Sequence, residues 1–286
     1  MATGSDRTTK YILFLSSFLV LLIAGGMILS LLKGSLPAFK HFGFGFITGT
    51  EWNPTPGREN YGALPFISGT LISSFLALII CLPLALSASL FIAEYYQGTT
   101  SAKILSTMVD LLAGIPSIVY GLWGFYTLRP LIIKLGLSDQ GFGLFTSAII
   151  LAIMIVPYAT SMSSEVIRMV PSELREAAYS LGATRSEVIF NIVIPSARSG
   201  IVASFILALG RALGETMAVT MLIGNSNQMP QGLFAPSNTM ASIIANQFGE
   251  ADGLKLASLI ALGLLLFLIT GIVNWLGKWV IKKLSN

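Results

Sequence analysis

Six apolar stretches, each near the length that crosses a bilayer, decide what this chain can fold into. A helix needs about 20 apolar residues to traverse roughly 30 Å of hydrocarbon. The first run, Tyr11 to Leu32, carries no charge at all. The others span approximately 67–93, 104–128, 144–160, 200–223 and 256–280. Charged residues are only 10% of the 286 and hydrophobic residues 54%, at a mean hydropathy of +0.79. A soluble domain carries roughly a quarter charged residues, so this composition describes an integral membrane protein. It excludes a disordered chain, a collagen-like fibre and a nucleic-acid module, because the 17 basic residues form no stripe despite a pI near 9.2. The lone cysteine, Cys81, forbids an intramolecular disulfide, and the lone histidine, His41, builds no metal or catalytic centre by itself.

Arg7 and Lys10 precede the first run, as in a signal peptide. The run is too long for an h-region, and Lys33-Gly34-Ser35-Leu36 offers no small-x-small cleavage site, so it is expected to stay as a span. Pro83, Pro116 and Pro157 fall inside or near the ends of spans two, three and four. Each removes an amide donor and predicts a kink, which suits helices lining a path. An even number of spans puts both termini on one side. With that side inside, ten basic residues lie inside (Arg7, Lys10, Lys103, Arg168, Arg175, Arg185, Arg198, Lys278, Lys282 and Lys283) and six outside. The excess, and the lysines clustered near Trp275 and Trp279, predict cytoplasmic termini.

The polar segment from Ser161 to Ser199 then falls in the cytoplasm. Pro171 and Ser172 open a short helix in which Leu174, Ala177, Ala178 and Leu181 repeat at i, i+3, i+4 and i+7. Glu173, Arg175, Glu176 and Ser180 lie off that face, and Gly182 is placed to end the helix. Thr184 and Glu187 fit a capping box for a second helix, which Pro195 interrupts. A small-residue face on a cytoplasmic loop helix fits a groove on another protein, with Glu176 available to a partner cation. The alternatives are a helix lying on the bilayer surface or a DNA-binding helix-turn-helix, which the flanking spans would tether to the membrane.

Arg211 and Glu215 are expected mid-span, four residues apart on one helical face and able to pair. Ionisable groups in a span face a bundle interior or water. Gly210 and Gly214 beside them predict a close helix contact. The pair reads either as a static clamp or as a gate in which Arg211 meets an anion and Glu215 neutralises it when the path is empty. Asp110 reads as an acid in a first helical turn, favoured by the dipole, with a path role as the alternative. Ser117 and Tyr120 sit by the Pro116 kink with hydroxyls for an anion or for backbone carbonyls. Outside, Met240, Ile243, Ile244 and Phe248 behind Thr239 predict a short amphipathic helix, lying at the interface or docking a solute receptor. No G-x-x-x-x-G-K-[ST] occurs, so any ATP chemistry belongs to another chain, and no internal repeat is evident.

Glu176-Ala177-Ala178, then Gly182, then Ile192-Val193-Ile194-Pro195 resembles the EAA loop of ABC importer permeases, with Ile194 where that family usually has leucine. Gly210 to Val219, Gly114 to Gly124, Phe46 to Pro54 and Gly62 to Phe66 resemble phosphate importer permeases, and the PstC type rather than its sister PstA. The resemblance runs over nearly the whole chain from the first span onward. It implies an all-α, six-span type I importer fold (MetI-like). Residues 1–66 would form the tail, first span and external loop, and 67–286 a permease core with its coupling loop at about 161–199. It implies ATPase coupling by Glu176, Ala177, Ala178, Gly182 and Pro195, and transport-critical roles for Arg211 and Glu215. The implied partners are a PstA-like permease, two copies of a PstB-like ATPase and a PstS-like phosphate-binding protein, in a bacterial inner membrane. The chain itself would be non-catalytic and hold no cofactor or metal, since ATP would be bound by the partner. The alternatives are a permease for molybdate, sulfate or phosphonate, an ion-coupled secondary transporter, or a structural scaffold.

Overall fold

The computed structural model describes residues 4–285 and the side chains of residues 9–284; residues 1–3 and 286, and the Arg7 side chain counted above, lie outside the described parts. Helix α1 (Gly4–Phe42) leads through one turn (Gly45–Thr48) into a two-residue-per-strand hairpin, β1 (Trp52–Asn53) with β2 (Asn60–Tyr61), paired antiparallel with Trp52 opposite Tyr61. Then follow α2 (Leu64–Tyr95), α3 (Thr100–Ala113), α4 (Ser117–Lys134) and α5 (Leu144–Arg168). The chain continues through α6 (Ser172–Ser180), α7 (Arg185–Leu213), α8 (Met217–Thr220), α9 (Met240–Gln247) and α10 (Gly253–Ser285).

Five of these helices are long and apolar enough to cross a bilayer, and α3 with α4 makes a sixth candidate bent by 97°. The connectivity shows that this bent pair crosses. It starts just after the end of α2. It finishes where Gly143 donates to the Leu222 carbonyl at 3.1 Å and Phe145 to Leu233 at 2.8 Å, at the opposite end of the bundle. The break is Gly114-Ile115-Pro116: the proline lacks an amide donor and disfavours a helical Ile115, and its own backbone is extended (ψ 140°) at the start of α4. The third span was expected as one kinked helix; it is two helices at nearly a right angle.

The core is α2, α5 and α7, and its closely packed positions are small: Ala77, Ala85, Ala148, Ala159 and Ala208 are fully buried. Lipid supplies no hydrophobic drive between helices, so close packing through small residues holds them together. A Cβ on Gly200 would lie 2.3 Å from Val166 Cγ1, and one on Gly277 2.5 Å from Ile206 Cγ2. These glycines are where α7 meets α5 and α10. Among the described residues Gly210 and Gly214 meet no such contact, and the side-chain atoms near a Cβ on Gly210 are those of Asn274, at 3.5 Å and beyond. Among the described residues, therefore, no helix makes the predicted close approach at Gly210 and Gly214.

A second apolar cluster closes the far end, where Phe46, Trp52, Tyr61 and Phe66 pack with Met240 and Ile243. Trp52 stands edge-on to Tyr61 and Phe66 at 4.8 and 5.0 Å, and its indole donates to Gln247 Oε1 at 3.3 Å. Helix α9 starts where its cap predicts, with the Thr239 hydroxyl accepting from the Ser242 amide. Met240 and Ile243 of its apolar face are buried inside the protein and Ile244 is half-buried, whereas Phe248, just past the helix, stays exposed.

Candidate functional site

The predicted polar loop is shorter than expected. Helix α5 runs on to Arg168, eight residues past Thr160, because serines in this stretch turn inward or back on the helix. Ser164, for example, donates to the Ser161 carbonyl at 2.8 Å. Pro195 does not interrupt its helix either. It is the second residue of the segment that continues α7, preceded by π-helical Ile189–Val193, whose wider register absorbs the missing amide.

Between α5 and α7 stands α6. Pro171 precedes it and no side chain caps its start. Its other end is as the sequence predicts. Gly182, at φ +86°, donates to the Tyr179 carbonyl at 3.0 Å, and Ala183 donates to Ala178 at 3.1 Å. This pair of bonds is the Schellman motif, and its left-handed residue is where glycine has no steric cost. The capping box then starts α7: the Thr184 amide donates to Glu187 Oε2 at 2.7 Å, and the Glu187 amide to the Thr184 hydroxyl. Accepting first the Thr184 amide and then its hydroxyl holds the Glu187 carboxyl below its ordinary range.

Of the predicted apolar face only Ala178 is buried; Leu174 and Ala177 are exposed and Leu181 is 89% exposed. Met169 and Phe190 flank them, also exposed. Glu176 and Pro195 are exposed on the same side of the loop, with Gly182 between them in sequence. Leu174, Ala177 and Leu181 thus give α6 a solvent-facing apolar platform on a pre-shaped helix end, with Ala178 buried beneath it; Glu176 is on the same helix, Gly182 ends it, and Pro195 lies on α7. The start of α1 and the end of α10 lie at this end of the bundle. Arg198 donates to the Leu284 carbonyl at 2.9 Å, and α1 points its other end, through Phe42, at Tyr61 of the hairpin.

The second predicted site is rearranged. Helix α7 stops at Leu213, so Arg211 is in its last turn and Glu215 lies beyond it. Among the described residues one ion pair forms, and it is not this one. Glu215 Oε1 instead accepts from the Ala218 amide at 3.2 Å, opening the short helix α8. Gly214 weakens the helical ladder by about 1 kcal/mol relative to alanine, and the carboxylate offers the backbone a local alternative. Arg211 is exposed, its guanidinium 5.7 Å from the Tyr158 ring centre.

The two broken helices meet: α8 packs on α4, and a Cβ on Gly121 would stand 3.1 Å from the Ala218 Cα. Tyr120 donates to the Leu112 carbonyl at 2.7 Å, tying α4 back across its own break. That bond takes the backbone role expected for a buried hydroxyl. Unwound backbone at membrane depth is tolerated where it is buried in protein or lines a water-filled space. Asp110 is exposed near the C-terminal end of α3, not in a first turn, so the dipole reading is wrong: at that end a carboxylate is disfavoured.

Sequence reasoning missed Glu94. It is the first acid after the second apolar run, and it is buried in the ion pair with Arg175, Nη2 to Oε2 at 3.0 Å. Its position directly after that run was the available signal.

Residues 85–286 match the model of the "binding-protein-dependent transport system inner membrane component" family. A "phosphate transport system permease protein PstC" of Mesorhizobium japonicum is 44% identical over 290 residues, covering 94% of this chain and 88% of that protein. A chain of a bacterial alginate ABC transporter superposes with a TM-score of 0.70 at 16% identity, over 100% of this chain and 99% of its own. A chain of the methionine ABC transporter MetNI gives 0.59 at 19% identity, over 79% and 95%.

Proposed function

Because this chain belongs to the inner-membrane-component family of binding-protein-dependent transport systems, we propose that its platform and its broken helices are the two working ends of a phosphate importer. The chain is a transmembrane permease subunit of an ATP-driven phosphate ABC importer, a multi-pass membrane protein of the type I fold. Importers of this family work with an ATPase and a substrate-binding protein. We assign the ATPase to two PstB-like copies, the receptor to a PstS-like protein, and a sister PstA-like permease to a pseudo-twofold pair with this chain. Hydrolysis belongs to the ATPase, and this chain needs no cofactor of its own.

The observation that carries this reading is the α6 platform. A helix end with a Schellman stop, and a large apolar residue 89% exposed at its tip, stands outside any span of this chain. Exposed apolar patches of this kind mark partner surfaces. Glu176, Ala177, Ala178, Gly182 and Pro195 are its coupling residues. The platform end, which holds the start of α1, the end of α10 and the larger share of basic residues, faces the cytoplasm.

Arg211, exposed at the end of α7 beside the second broken helix, is the cation that meets phosphate. Glu215 shapes the break by holding the Ala218 amide and balances the local charge, so that binding stays weak enough for release. A separate molybdate, sulfate or phosphonate specificity is the second reading. Labelled phosphate uptake by cells carrying or lacking the chain tests the assignment. Uptake should depend on the chain and resist excess sulfate and molybdate. Chain-dependent uptake of one of those anions instead would overturn the substrate.

A further inference from the structure

Two arginines tie the ends of α2 and α5 to α6 and the start of α7 around Glu94. Glu94 closes the last turns of α2 and is buried. Arg175, on α6 next to the coupling residue Glu176, donates to it through Nε at 3.3 and 3.2 Å and through Nη2 at 3.0 Å. The same guanidinium reaches the orphan carbonyls at the end of α5: Nη2 meets Ile167 at 3.1 Å, and Nη1 meets Val170. Arg185, in the first turn of α7, donates to the carbonyls of Glu94 at 2.7 Å and of Tyr95, with its guanidinium over the Tyr95 ring. This is the one ion pair among the described residues, and every donor in it points at a helix terminus.

We infer that Glu94, with Arg175 and Arg185, is the mechanical link through which α6 drives α2, a span to which it has no direct chain connection. The inference rests on the coupling role of α6 proposed above. Chain connectivity alone joins α6 to α5 and α7. The bridge adds α2, which packs along the length of α5 in the core, so that one displacement of α6 carries all three spans together. A buried ion pair adds little net stability compared with apolar packing, because desolvation offsets the Coulomb attraction. What a planar fork with five donors adds is a fixed geometry among several acceptors, which lysine does not reproduce. Glu94 and Arg175 are positioning residues: they touch no substrate and act through the spans they join.

The test uses the complete reconstituted importer with its ATPase and receptor. Glu94→Gln and Arg175→Lys should retain the ATPase on purification and retain hydrolysis. Phosphate uptake should fall at least tenfold, so the ATP spent per phosphate rises by that factor. A Glu94→Cys/Arg175→Cys pair should show the same loss, and a short bifunctional thiol reagent joining the two cysteines should restore uptake. The pair is made in a Cys81→Ser background, so that the protein's own buried thiol takes no part. A structural role alone would change yield or melting temperature but not this ratio. An unchanged ratio in Glu94→Gln, or no recovery on cross-linking, overturns the inference. If the single variants fail to accumulate in the membrane, the cysteine pair decides by the same recovery. Absence of the ATPase from the wild-type preparation would instead overturn the coupling role of α6.

Discussion

Glu215 turns its carboxylate to the Ala218 amide and not to Arg211, and this separates two roles that the i, i+4 spacing had merged. Glutamine at 215 keeps an acceptor for that amide and loses the charge. Alanine loses both, at about 1 kcal/mol for the cap. Glu215→Gln should therefore lower uptake without moving the melting temperature in detergent, and Glu215→Ala should lower both. Arg211→Gln should abolish uptake while the ATPase still co-purifies; normal uptake by that variant would remove Arg211 from the path. At the platform, Gly182→Pro deletes the amide that Tyr179 accepts and forbids φ +86°. It should release the ATPase, whereas Gly182→Asn, which tolerates the left-handed region, should hold it. The Glu187 carboxyl titrates below its ordinary range, so its stabilising contribution is complete above the unfolded pKa and is lost as pH falls through the folded one. The melting-temperature gap between the wild type and Glu187→Gln should narrow across that acidic window, and a constant gap would show that the capping bond does not titrate.

At the scale of elements, hydropathy reads composition and not continuity, and that is where the sequence was least legible. It placed the spans but drew the third as one helix, because the residues on both sides of Gly114-Ile115-Pro116 are equally apolar. It ended the fourth span early because serines count as polar even when a hydroxyl folds back on its own helix. Local chemistry did better. Gly182, Thr184 with Glu187, and Thr239 each have a bonding partner fixed by spacing, and all three caps form as spaced. The Gly210 and Gly214 spacing misled because a small-xxx-small pattern marks a surface that permits contact without naming the neighbour. Gly200→Val should place methyls against Val166 and destabilise the α5–α7 contact by about 1–3 kcal/mol. Gly210→Ala should leave the melting temperature of this chain unchanged or slightly raised. Equal losses in the two variants would show that close packing is not concentrated at Gly200.

Across the whole molecule, the working parts lie at two levels of one bundle. The platform stands outside the spans at the end that holds the start of α1 and the end of α10, and the paired helix breaks lie within them. The clamp at Glu94 joins the platform to α2, α5 and α7 together, so displacement of α6 is a rigid-body input. The family and the platform were legible in the residues of the coupling loop. The clamp was not, because it depends on Glu94 and Arg175, 81 positions apart, meeting in space. The central claim is that this chain conducts phosphate only as part of an ATP-driven assembly. The most direct measurement is to recover the tagged chain from membranes in mild detergent, reconstitute whatever remains bound, and follow labelled phosphate into the vesicles. A second permease and an ATPase should come with it, and uptake should require both ATP on the α6 side and a phosphate receptor on the other. Recovery of the chain alone, beside a control ABC complex that stays intact, or uptake driven by an ion gradient without ATP, would contradict the account.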